Sequence, residues 1–123
     1  MSIPFIPSGP AHEPPITSEF ANDPDMSELV DLFLHELPAR VRAASEAWIS
    51  ADFVTVQRLA HQLRGSSAGY GFPLLGVAAG RVEDAMRISD GDAFAATPEL
   101  QTVFASFQHI AARVMAGGVR KAA

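Results

Sequence analysis

Ala60-His61-Gln62-Leu63-Arg64-Gly65-Ser66-Ser67-Ala68-Gly69-Tyr70-Gly71 sets a histidine among small residues inside what otherwise reads as a helix. Glycine in a helix costs roughly 0.5 to 1 kcal/mol relative to alanine, so Gly65 needs a compensating purpose. At about 100° per residue, Val56, Leu59, Ala60, Leu63, Ser67 and Tyr70 form an inward face, and His61 falls nearly opposite, toward solvent. Gln57 and Gly65 lie one turn from it, with Arg64 and Ala68 at the i+3 and i+7 positions. An exposed imidazole beside a cation, with two nearly absent side chains above it, reads as a docking site for a second protein.

Working outward, Asp52 stands where a helix cap belongs, and Gly69 or Gly71 supplies a left-handed stop. Upstream, Asp25-Met26-Ser27-Glu28 has the capping-box spacing and opens the series Leu29, Val30, Phe33, Leu34, Leu37, Val41, Ala44 and Trp48. Pro38 removes one amide from that helix, and because the stripe continues in phase past it, a kink is expected rather than a break. Downstream, Pro73 suits the first turn of a third helix carrying Leu75, Ala78, Ala79, Val82 and Met86, which Ser89-Asp90-Gly91-Asp92 should end. Thr97-Pro98-Glu99 opens a fourth, with Leu100, Val103, Phe104, Phe107, Ile110, Ala111 and Val114, reaching Gly117-Gly118.

No segment alternates as a strand does. The expected fold is therefore all-α, an antiparallel up-and-down four-helix bundle. A short N-terminal capping helix over Thr17–Ala21, anchored by Ile16 and Phe20, is expected to close one end. Residues 1–15, with Pro4, Pro7, Pro10, Pro14 and Pro15, read as a flexible tail, 16–116 as the bundle, and 117–123 as a frayed end.

Bulk properties narrow the function. A chain of 123 residues makes one domain, too small for a cleft between two lobes. Its 9 basic and 14 acidic residues give a net charge of -5 without a basic block, which argues against nucleic acid as partner. The lack of cysteine excludes disulfides, thiolate catalysis and cysteine-ligated zinc. With no apolar run near the roughly 20 residues that span a bilayer, and no signal-peptide pattern in Met1-Ser2-Ile3-Pro4-Phe5, a soluble cytoplasmic protein without membrane association is expected. No sustained heptad asks for a dimer, so a monomer is expected.

The chemistry then follows from His61. An imidazole is substantially neutral at cytoplasmic pH, so a ring nitrogen can attack phosphorus without an added base. Gly65 would let the partner approach, and Arg64 would offset charge on the transferring oxygens.

These residues also carry a resemblance. The string from Ala60 to Ser67, followed by Gly71, Leu75, Ala79 and Val82-Glu83, and preceded by Phe33-Leu34 and Leu37-Pro38, resembles the histidine-containing phosphotransfer (HPt) domain over about residues 16–116. The resemblance implies that His61 accepts the phosphoryl group, that Arg64 stands where the family usually has lysine, and that Gly65 is the family's helix glycine. It implies a relay carrier rather than an ATP-dependent kinase. Such a carrier takes a phosphoryl group from a receiver-domain aspartyl phosphate and passes it to another receiver. It has no cofactor of its own, because the receiver supplies magnesium. Gln57, Arg58 and Ala68 would then lie on the docking surface.

A helical interaction module docking a receiver or kinase without being phosphorylated is the main alternative. Gly65-Ser66-Ser67-Ala68-Gly69 fits G-x-S-x-G, but a nucleophile elbow needs a strand before the serine; Ser66 is expected to bond a carbonyl of its own helix or to pack at the helix-helix contact. A metal-binding bundle needs inward Glu-x-x-His pairs, which are missing. His12 reads as tail, His35 and His109 as outward-facing helix residues, and Arg58, Arg81 and Arg87 as a solvated polar face. Gly76 and Gly80, four apart, read first as tight packing and second as part of the docking surface.

Overall fold

Among the described residues, apolar periodicity and end signals become four helices: α1 (Ser27–Ile49), α2 (Phe53–Ser67), α3 (Pro73–Ile88) and α4 (Pro98–Ala122), with a 3-10 turn at Ala68–Tyr70. The structure is a computed structural model that describes residues 13–88 and 97–122, and no strand occurs among them. Residues 1–12 of the tail expected over 1–15, and the Ser89–Asp92 stop, lie outside the described residues. No helix there is long and apolar enough to cross a membrane.

Helix ends show which local signals won. Asp52 caps α2, its carboxylate accepting from the Thr55 amide at 3.2 Å and the Thr55 hydroxyl at 2.7 Å. These two bonds hold its carboxyl below the usual carboxylate range. Thr97 caps α4 by accepting from the Leu100 amide at 3.1 Å. The capping box expected at Asp25 does not form: Met26 is the cap residue, without a side-chain bond. The upstream turn is held instead by Asp23, whose carboxylate accepts from the Asp25 amide at 2.9 Å. Pro38 leaves α1 a single helix of 23 residues.

Two helix ends share one geometry. After α1 the Asp52 amide donates to the Ala47 carbonyl and the Ala51 amide to that of Trp48. After α2 and its 3-10 turn the Phe72 amide donates to Ser67 and the Gly71 amide to Ala68. Both are Schellman stops that need a left-handed residue. Gly71 supplies it at φ 89°, whereas Ala51 is forced there at φ 59°.

The core sits between the inward stripes, and most of the expected positions fill it, although Leu29 at the start of the α1 series is 46% exposed. Val56, Leu59, Leu63, Leu75, Ala79, Val82, Met86, Phe104, Phe107 and Val114 are all buried. Phe33 stacks between Tyr70 and Phe72 at centroid distances of 5.0 and 5.6 Å, and Trp48 lies flat on Phe104 at 4.4 Å. Consecutive helices are neighbours, α1 and α4 also touch, and the most extensive contact is between α2 and α3. That contact is close because Gly76 has no side chain: a Cβ there would lie 3.5 Å from the Arg64 carbonyl and 3.7 Å from the Ser67 Cβ.

The segment before α1 departs from expectation. Residues 14–18 have no regular secondary structure and 19–22 form turns, so the short capping helix over Thr17–Ala21 is absent. Its polar groups are engaged elsewhere. The Ser18 hydroxyl donates to the Tyr70 carbonyl at 2.6 Å and accepts from the Phe20 amide at 2.9 Å, and the Glu19 amide donates to the Gly71 carbonyl at 2.9 Å. The Ile16 amide donates to the Arg113 carbonyl at 3.0 Å. Ile16 and Phe20 still pack on the core as anchors. The strap begins earlier than expected, since Glu13 pairs with His109 at 2.9 Å and with Arg113 at 3.3 Å. His109 is thus half-buried under it rather than a free outward residue. Nor does α4 stop at Gly117; it runs on to Ala122.

Candidate functional site

His61 lies mid-way along α2, on the side away from the buried Val56 and Leu63. Its side chain is 72% exposed, as the helical phase requires, while the carboxylate it meets is only 5% exposed. That carboxylate is Glu83 of α3, whose Oε2 lies 2.7 Å from His61 Nδ1. An ionised carboxylate only accepts hydrogen bonds, so Nδ1 carries the proton. In the neutral ring the lone pair is then on Nε2.

Glu83 is the centre of a charge cluster. Arg64 Nη1 donates to Oε1 at 3.2 Å, and Arg87 Nη2 donates to Oε2 at 2.9 Å. Arg64 also donates to Asp84 at 3.1 Å. Burial opposes ionisation of Glu83. The hydrogen bonds from Arg64 and His61, with the charges of His61 and Arg87, outweigh it and hold the carboxyl below its ordinary value. The bonds to Glu83 and Asp84 in turn keep the Arg64 guanidinium more firmly protonated.

Arg64 therefore does not reach freely into solvent beside His61. It lies across Gly80, where a Cβ would come within 3.1 Å of its Nε. Gly80 thus makes room for an arginine side chain, while Gly76 serves helix packing. Gly65 is different: a Cβ there meets nothing within 4 Å, so no contact inside the bundle requires glycine.

The expected docking residues divide between two depressions. Gln57 and Arg58 line one with Val54, His61 and Glu83. Ala68 lines another, between α2 and α3, with Arg64, Gly76 and Gly80. Arg87, read as part of a solvated face, is in fact tied to the site. Glu83 entered the sequence reading only within a matching string. Its place beside Val82 in the apolar stripe signals burial, and a buried carboxylate needs partners, but that phase does not say which ones. Ser66, as expected, donates to the Gln62 carbonyl of its own helix at 3.0 Å. Among the described residues, no group of three or more His, Asp or Glu side chains is arranged to hold a metal ion.

A helical bundle with an exposed histidine that a buried carboxylate orients from behind defines a module organised around that imidazole. The family model of the Hpt domain matches residues 28–115, more than half of the chain. The chain belongs to the Hpt domain family. Hpt domains are phosphotransfer carriers of two-component signalling that interact with receiver domains and are not kinases. No curated protein and no solved structure matches the chain.

Proposed function

We propose that His61 is the phosphoryl-accepting residue of this carrier and that it exchanges the group with receiver-domain aspartyl phosphates. The observation that carries the reading is the exposed His61 ring with Nδ1 on the buried Glu83. In the transfer, the Nε2 lone pair forms a bond to phosphorus as the bond from phosphorus to the receiver's carboxylate oxygen breaks, and that carboxylate leaves with the electron pair. Nδ1 keeps its proton throughout, so the phosphorylated ring is cationic, and Glu83 stabilises that charge. Passing the group to a second receiver reverses these steps.

Gly65 gives the partner access, and Arg64 supplies electrostatic support while fixing one oxygen of Glu83. Gln57, Arg58 and Ala68 belong to the docking surface. Magnesium comes with the receiver. The bundle is read as antiparallel, because only residues 50–52 join α1 to α2, and such a link between packed neighbours requires reversal. The module is read as a cytoplasmic monomer.

Incubation with an acetyl-phosphate-charged receiver domain, followed by assay for acid-labile, base-stable phosphate, tests the assignment. Wild type should label and His61→Gln should not. Equal labelling of the two would remove His61 as acceptor. An unlabelled wild type that still binds the receiver would favour the interaction module that works without phosphorylation.

A further inference from the structure

Two guanidiniums meet one buried carboxylate behind His61, and the two are not equivalent. Arg64 takes Oε1, whereas Arg87 and His61 share Oε2, at 2.9 and 2.7 Å. Arg87 stands one turn beyond Glu83 on α3 and is itself 62% exposed. A carboxylate within hydrogen-bond distance of an imidazole favours the charged ring, and an imidazolium has no lone pair with which to attack. The geometry required for orientation thus works against the protonation state required for nucleophilicity.

We propose that Arg87 is a positioning residue that resolves this conflict: by sharing Oε2 of Glu83 with His61, it fixes the acceptor oxygen and reduces that oxygen's pull on the imidazole proton. This rests on the reading of His61 as acceptor and adds how its nucleophilic form is maintained. The charged groups around His61 are Arg58 and Arg64 on α2 and Glu83, Asp84 and Arg87 on α3. Glu83 and Asp84 are balanced by Arg64 and Arg87, so removing Arg87 leaves Glu83 with excess negative charge on the oxygen that faces the ring. The imidazolium then persists to higher pH.

The test needs no phosphoryl donor. Diethyl pyrocarbonate acylates only unprotonated imidazole, and the tryptic peptide Leu59–Arg64 carries His61 as its one histidine. Its modification rate is followed by mass spectrometry between about pH 5.5 and 8.5, the range over which imidazoles titrate, on full-length wild type, Arg87→Gln and Arg87→Lys. Circular dichroism establishes that each is folded.

For Arg87→Gln the rate profile should move about half a pH unit or more toward higher pH. That means roughly threefold slower modification on the acid limb, with rates converging at alkaline pH. Arg87→Lys, which keeps the charge, should return the profile close to wild type. Superimposed profiles for wild type and Arg87→Gln would overturn the proposal. So would a uniform slowing at every pH, or a lysine variant displaced as far as the glutamine one. Because the reagent is not a phosphoryl donor, failure here and failure of His61 to accept phosphate are separate results.

Discussion

At the residue scale, Glu83 and Gly65 make opposite demands on their surroundings. Glu83 is a buried acid held ionised by its partners. Its depressed titration means that the ion pairs contribute fully at neutral pH and are lost as pH falls below the ordinary carboxylate range toward the lower value of the folded state. The melting-temperature difference between wild type and Glu83→Gln should therefore be steady above about pH 5 and shrink below it. A difference that holds unchanged down to pH 3 would contradict the ionic account. Gly65 faces open space. Gly65→Ala should stabilise the bundle by about 0.5 to 1 kcal/mol in thermal or denaturant unfolding. Gly65→Phe should fold yet take phosphoryl groups from a charged receiver slower by on the order of 10²-fold, because the approach is blocked. Transfer at the wild-type rate would show that Gly65 has no part in access.

At the element scale, the same stop occurs twice with different residues. The left-handed position after α2 is Gly71, where an added Cβ would run into Ser18 and the Glu19 amide. The corresponding position after α1 is Ala51 at φ 59°. Ala51→Gly should raise stability by about 1 kcal/mol in denaturant unfolding, since the methyl group disfavours that backbone region. A decrease would mean that the alanine methyl has packing value there.

The helices were readable because their inward faces repeat every three to four residues and because Asp52, Thr97, Pro73 and Gly71 are strong end signals. The Asp25 cap misled because Asp23, two residues earlier, satisfies the same turn. His61, Arg64 and Gly65 were legible as one face of one helix. Glu83 and Arg87 were not, because their meaning depends on which turn of α3 comes to lie against His61, and no pattern within α3 states that register.

At the scale of the whole molecule, the chain before α1 behaves as a strap rather than a helix. Its hydrogen bonds go to the α2–α3 connection and to α4, contacts between residues far apart in sequence that no local pattern encodes. Gly117 is its counterpart on α4: a Cβ there would overlap the Ile16 carbonyl. Gly117→Ala should displace the strap, cost about 1 to 3 kcal/mol in unfolding measurements, and speed hydrogen exchange at the Ile16 amide. Unchanged exchange would show that the strap tolerates the added methyl. The strap, the ring of helices and the α2–α3 contact all leave the outer side of α2 uncovered around His61.

The central claim is that Glu83 holds the Nδ1 proton and leaves Nε2 to react. It is tested most directly by charging the full chain with phosphate from a phosphorylated receiver and recording phosphorus–nitrogen correlations with ¹⁵N-labelled histidine. The phosphoryl group should be on Nε2 of His61. Phosphate on Nδ1, or on any other residue, would contradict the account.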